Sequence, residues 1–209
     1  MQPNSDKPYE WIAGIDYGSK LAGTTVITLF NQADGTIHTT SSAIKQDADK
    51  LILQTIESQN GQGLIMLDAP LSLPAVYLDR FGKEQDYFYR EADRVLGAMS
   101  ALFLGGLMAR AMKLSSHLAQ KGNLVLETYP KQVVQKVLTT PFDYKQGKGP
   151  TESDIEILNQ AIAPHCQSRL GTMHTWHQFD SSLCLLAGLR KTADLAIPFG
   201  NRLEGQIWI

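Results

Sequence analysis

The 209-residue chain is 43% hydrophobic and 19% charged, which suits one folded domain with a substantial core and room for a sizeable insertion. Its formal net charge of −2 counts against a protein that coats long duplexes by charge alone, while leaving open an enzyme with a local basic groove. Cys166 and Cys184 lack metal-ligand spacing, so both are expected to be reduced thiols in a cytoplasmic protein.

The start, M-Q-P-N-S-D-K-P, carries no apolar signal core, and residues 1–10 read as a disordered or loosely docked arm. Residues 12–16 form an apolar run that reaches Asp16 and turns at Gly18, the pattern of a buried strand leaving a core. A second strand is expected over 23–30, a turn at Asn31-Gln32-Ala33-Asp34-Gly35, and a polar, alternating edge strand over 36–43. The short connections predict an antiparallel meander. Residues 47–58 predict a helix with Ala48, Leu51, Ile52 and Ile56 as its apolar stripe and Asn60-Gly61 as its stop. The strand Leu64-Ile65-Met66-Leu67 then runs into Asp68, giving the order β-β-β-α-β.

Residues 71–122 interrupt this rhythm and predict a helical insertion. Residues 71–85 read as a loop with one short turn, and 86–96 as a helix carrying Tyr87, Tyr89, Arg90, Glu91, Asp93 and Arg94. Ser100 is placed to cap one long helix to Gln120, with Gly122 as its stop. The pair Gly105-Gly106 weakens that helix, so close packing against another element is the expected compensation. The apolar stretch 101–112 is broken by Arg110 and is too short for the roughly 20 residues that span a bilayer, so no membrane partner is expected. The insertion either covers one face of the sheet or forms a substrate lid.

Beyond it come a strand ending at Glu127, a helix over 131–138, and a lysine-bearing loop over 140–150. A helix over 151–163 follows, capped by Thr151 with Asp154 at the capping-box position. After a loop over 169–175, a last long helix covers 177–195, and the apolar tail E-G-Q-I-W-I docks on the core.

Three strands share one pattern: an apolar run ending in an acid, at Asp16, at Asp68 before Ala69-Pro70, and at Glu127 before Thr128-Tyr129-Pro130. A single such acid is commonly a cap or turn former. Three in the same pattern favour a site at the carboxyl edge of an open sheet. Buried carboxylates there need compensation from a metal ion or a hydrogen-bonding loop. Asp180, expected in the first turn of the last helix, is explained on its own by the helix dipole. His177, three residues earlier, shares its face, and beside the other acids both become candidate metal ligands. Arg90 and Asp93 are expected to approach the same cleft, because they lie in a polar, aromatic-rich stretch soon after the Asp68 strand.

The motifs D-Y-G-S-K-L-A-G, L-D-A-P-L-S-L-P, Y-R-E-A-D-R-V-L-G, E-T-Y-P-K and H-Q-F-D-S-S-L, in this order and spacing, resemble those of an uncharacterised-domain family of predicted nucleases of the RNase H fold. The resemblance covers nearly the whole chain, from about Ile12 to the final E-G-Q-I-W-I. The β-β-β-α-β order agrees with that fold. The resemblance implies an α/β, RNase H-like mixed sheet, three antiparallel strands followed by parallel additions, flanked by helices and carrying the helical insertion. It also implies a carboxylate cluster of Asp16, Asp68, Glu127 and Asp180 holding Mg²⁺ or Mn²⁺, acting on a nucleic acid, DNA or RNA. Family members often carry another acid just before the Asp180 position. Here His177 is the nearest match, so the expected metal ligands are Asp16, Asp68, Asp180 and His177.

The implied chemistry is metal-assisted phosphodiester hydrolysis, in which two ions about 3.5–4 Å apart activate a water and stabilise the leaving oxygen. Asp16 would bridge both ions, Asp68 and Asp180 would complete one each, and Glu127 would be a ligand or orient the water. Arg90, Asp93 and Lys131 are the expected substrate-binding residues, the two cations neutralising phosphate, while Lys145 and Lys148 would track a nucleic-acid backbone. Two other classes stay open. An actin-like ATPase or phosphotransferase opens on a similar D-x-G-x-x-x-x-G loop, but here the second acid is followed by Ala69-Pro70 instead of a phosphate-binding glycine, and Gly105-Gly106 lies in a helix pattern. A non-catalytic nucleic-acid or metal-binding module would use the same acids for a structural ion.

Overall fold

Trp11–Asp16 (β1) is buried along its whole length, and a strand buried on both faces sits at the centre of a covered sheet. The computed structural model, which describes residues 9–78 and 86–209, places it so. β1 pairs antiparallel with Val26–Asn31 (β2), and β2 pairs antiparallel with Thr36–Ser41 (β3). After the helix Ala48–Glu57 (α1), the strand Gly63–Asp68 (β4) returns parallel to β1, and Leu124–Thr128 (β5) adds parallel to β4. Two short strands follow late in the chain, Pro198–Phe199 (β6) and Ile207–Trp208 (β7). β7 enters between β5 and β6, parallel to the first and antiparallel to the second. The result is an α/β fold with a seven-stranded mixed sheet in the order β3-β2-β1-β4-β5-β7-β6. The polar strand β3 forms one edge. The tail expected only to dock contributes an inner strand.

Alternation along each strand divides the apolar side chains between two faces. Ala13, Ile15, Ile65 and Leu67 pack with Ile52 and Ile56 of α1 and with Ala111, Leu114 and Leu118 of the helix Gly106–Gln120 (α4). Ile12, Leu64 and Met66 pack on the other face with the helix Trp176–Thr192 (α7). Every residue of α7 from Phe179 to Leu189 is buried, as expected of a helix enclosed on all sides. Its buried hydroxyls are satisfied: Ser181 Oγ lies 2.7 Å from Thr28 Oγ1, and Ser181 and Ser182 each donate to the Gln178 carbonyl. Two glycines set the closeness of this packing. A Cβ on Gly14 would stand 2.1 Å from the Leu185 amide nitrogen and 2.2 Å from the Ser181 carbonyl oxygen. One on Gly188 would stand 2.6 Å from Ile12 Cγ2.

The helical segment between β4 and β5 differs from expectation in two places. Only Glu91–Leu96 (α2) is helical within 86–96, with Arg90 at its N-cap. The long helix expected from Ser100 is broken into Ala101–Leu104 (α3) and α4 by Gly105, at φ 43° and ψ −105°. A Cβ on Gly106 would meet nothing within 4 Å, so the glycine pair serves a backbone reversal and not close packing. The 71–85 loop contains a short 3₁₀ turn at Ala75–Leu78, with 79–85 outside the described residues. The expected arm over 1–10 lies outside them except for Tyr9 and Glu10, and the Glu10 amide donates to the Gln62 carbonyl at 2.9 Å. Pro130–Val137 (α5) and Glu152–Ile162 (α6) complete the helices, α6 with the Thr151–Asp154 capping box. Among the described residues no helix is long and apolar enough to cross a membrane.

Gly14→Ala is expected to lower stability by about 3 kcal/mol or more, because the added methyl meets helix backbone that cannot rotate away. Gly106→Ala, in open space at a helical position, is expected to raise stability by about 0.5–1 kcal/mol. Urea melts of the two variants beside the native chain check both signs.

Candidate functional site

β1 and β4 are parallel and in register, with Trp11 opposite Gly63 and Asp16 opposite Asp68. Both acids are therefore the last residues of adjacent strands spaced about 4.8 Å apart, on the face covered by α7. α7 carries Asp180 and His177 to the same end. Its first helical residue is Trp176 and its first turn contains no acid, so Asp180 lies one turn into the helix, and its position owes nothing to the helix-start dipole.

The oxygens of this cluster have distinct partners. His177 Nδ1 stands 2.6 Å from Asp16 Oδ2. The Tyr144 hydroxyl donates to Asp180 Oδ1 at 2.6 Å, and Lys145 Nζ pairs with Asp180 Oδ2 at 2.7 Å. The Asp68 carboxylate has no side-chain hydrogen-bond partner among the described residues. Burial, then repulsion from Asp16 and Asp180, raises the Asp68 pKa well above the usual carboxylate range. Burial also raises Asp180, with Lys145 opposing. His177 is raised by its bond to Asp16, against partial burial. Burial works against the Lys145 charge, but Asp180, Asp16 and Asp68 together raise its pKa.

Glu127 stands apart. Its partner across the ladder is Leu67, not Asp68, and facing residues share one face of the sheet. Glu127 thus emerges on the side opposite Asp16 and Asp68, one residue out of step with them. There it meets Arg90, which is fully buried. Arg90 Nη1 and Nη2 donate to Glu127 Oε2 and Oε1, each at 2.7 Å, and the Leu71 amide adds a bond to Oε2 at 2.9 Å. Nη2 and Nε also bond Asp93, at 2.6 Å and 3.1–3.2 Å, and Nη1 bonds Ser72 at 2.8 Å. All five guanidinium N–H groups are therefore used within the protein. Burial raises the Glu127 pKa and the Arg90 bonds oppose it.

This arrangement corrects several expectations. Glu127 anchors Arg90 and has both oxygens occupied, so it is not a free ligand. Arg90 and Asp93 do line the cleft, but their polar atoms are turned on each other and on Glu127, leaving none for a phosphate. Lys131 is exposed on α5 and does not line the cavity described next. Lys145 reaches Asp180, while Lys148 stays exposed.

A cavity of about 430 Å³ opens beside these groups, lined among others by Asp68, Glu127, Arg90, Tyr17, Tyr129 and Lys145. The loop after Asp16 is clamped at its rim. The Tyr17 hydroxyl donates to Asp49 Oδ1 at 2.6 Å, and Arg110 bonds both Asp49 oxygens and the Gly18 carbonyl. The Arg110 guanidinium also lies 4.9 Å from the Tyr17 ring centroid, a cation–π distance. Tyr144, Asp49 and Arg110 were not among the residues expected at the site. The signal for Tyr144 was the aromatic pair in F-D-Y-K, within a stretch otherwise rich in loop formers.

Among the described residues, no group of three or more His, Cys, Asp or Glu side chains is arranged to hold a metal ion. In this arrangement His177 is bonded to Asp16, and Tyr144 and Lys145 take both oxygens of Asp180.

Arg90→Met leaves Glu127 and Asp93 buried without their cation, and is expected to cost about 3–5 kcal/mol in a urea melt. Adding Glu127→Leu should recover part of that loss. The carboxylate cluster gives a pH prediction. The folded chain binds a proton at Asp68 more tightly than the unfolded chain, so that stabilisation falls as pH rises from about 4, the ordinary value, towards the raised folded value. His177 stabilises fully below about 6.5 and loses this as pH climbs through its raised pKa. Both slopes run downward with pH. Asp68→Asn is therefore expected to melt higher than the native chain at pH 7, with a flatter profile from pH 4 to 8.

Compared with known proteins, the chain matches no family model and no curated protein.

Proposed function

We propose that this chain is a divalent-cation-dependent hydrolase of nucleic-acid phosphodiesters, built on an RNase H-like sheet. The observation that carries the reading is the in-register pair Asp16 and Asp68 at the carboxyl ends of two adjacent parallel strands, with Asp180 brought against them from α7. Each of the other two acids raises the proton affinity of Asp68. Like charges gathered at one sheet end, one of them without a partner among the described residues, suit a counter-cation. The donor set is carboxylate oxygen, which suits Mg²⁺ or Mn²⁺ over softer metals.

Asp16, Asp68 and Asp180 would hold the ion. Bound there, it would supply an activated water and positive charge for the leaving oxygen. His177 orients Asp16 through Nδ1 and is 48% exposed on its side chain. Its exposed ring is open to solvent and can exchange a proton with water beside the acids. The Arg90–Glu127–Asp93 group keeps the neighbouring wall rigid. Lys145, at both the acids and the cavity, is the cation placed to meet a phosphate. Tyr129, part-exposed at the cavity, gives it aromatic surface on which a base can stack.

The test is cleavage of labelled single-stranded, duplex and hybrid oligonucleotides with Mg²⁺ or Mn²⁺. EDTA, Asp16→Asn and Asp68→Asn are each expected to abolish cleavage. Mn²⁺ should also raise the melting temperature of the native chain but not of Asp68→Asn. Metal stabilisation without cleavage of any substrate would make the chain a binding module, and absence of both would end the metal reading.

A further inference from the structure

We propose that Lys145 occupies the place of the divalent cation in the free protein and must leave Asp180 for the ion to enter. The inference rests on the metal-dependent reading above and names the residue that controls loading.

Two kinds of cation neutralise acids at this end of the sheet. Arg90 is buried, with five N–H groups engaged by three side chains. It is a permanent part of the wall. Lys145 is half-exposed, at 52% of its side chain, and makes one carboxylate contact, Nζ to Asp180 Oδ2 at 2.7 Å. A lysine so placed can swing its ammonium into water at little cost to the ammonium itself. Its carboxylate could not be left alone at the same price, because Asp180 is buried beside Asp16 and Asp68. Release of Lys145 therefore calls for another cation, and a divalent one answers all three acids at once.

The loop is built for this exchange. Lys145 itself sits at φ 61°, a conformation uncommon for a residue with a side chain, and Gly147 follows at φ 72°. Just before it the chain is fixed. Phe142 and Tyr144 pack edge-on with Phe179 and Trp176, at centroid distances of 5.7 Å for each pair. The Tyr144 hydroxyl keeps Asp180 Oδ1 in place at 2.6 Å. Asp180 thus keeps its orientation from Tyr144 while Oδ2 changes partner. The freed ammonium remains beside the cavity, where it can meet phosphate.

The experiment is calorimetric titration of the full chain with Mn²⁺ alone. Lys145→Met is expected to bind Mn²⁺ about tenfold tighter than the native chain. Lys148→Met removes the same charge from the same loop at an exposed position and should change affinity by less than about twofold. In an Asp180→Asn background, Lys145→Met should have no effect. Equal or weaker binding by Lys145→Met, with the native chain binding Mn²⁺, overturns the proposal and leaves the metal reading standing. No binding by either chain overturns both. Hydrogen exchange at 145–148 in the native chain supplies a readout free of substitution: Mn²⁺ should speed it, and unchanged exchange overturns the proposal.

Discussion

The contact on which this structure depends is the approach of α7 to β1 at Gly14. The space between helix and strand backbone there is too small for a Cβ. Three consequences follow. The apolar face of β1 and β4 is sealed by Leu183, Leu186 and their neighbours. The Thr28 and Ser181 hydroxyls come within 2.7 Å and satisfy each other inside the core. Asp180, next in sequence to Ser181, is carried to the end of the sheet where Asp16 and Asp68 emerge. A wider helix–sheet spacing would loosen the packing and pull the third acid away together.

Charge at that end is handled by geometry on both faces. On the α7 face, two of the three acids have partners at or near the surface, His177 on Asp16 and Lys145 and Tyr144 on Asp180. On the other face, Glu127 and Asp93 share one enclosed guanidinium. A buried ion network of this kind adds little net stability over an apolar replacement, but breaking one member is severe. It holds the start of α2 against β5 and so shapes the cavity wall. The half-exposed partners on the first face leave its acids able to change company.

Much of this was readable from residue pattern. The strands β1 to β4, the edge character of β3, and the helix between β3 and β4 follow from apolar runs and turn residues. Asp16 and Asp68 come from strands of equal length aligned from Trp11 and Gly63, so their adjacency follows from counting. Glu127 defeated the same count, since β5 begins opposite Leu64 and its acid falls opposite Leu67. One residue of register reverses the face, and register between strands 60 residues apart is set by packing that no local pattern records. Gly105 read as a helix interior because apolar residues flank it, whereas its backbone requires a break. β7 is two residues long, too short to show periodicity. Lys145 read as a loop charge tracking a nucleic-acid backbone, because nothing near it in sequence announces Asp180.

The separation in sequence between the two halves of the α7 contact has a consequence for how the chain folds. His177 meets Asp16 across 161 residues, and Ser181 meets Thr28 across 153. Closing so long a loop loses chain entropy before its contacts repay the loss, and folds dominated by distant pairings form slowly. Until α7 arrives, the meander β1–β3 with β4 presents the apolar row Ile12, Leu64 and Met66 uncovered. A partly folded chain with that row uncovered would be prone to self-association. Before α7 brings His177 to Asp16, the Asp16 and Asp68 carboxylates place like charge at the end of that sheet, which works against such association.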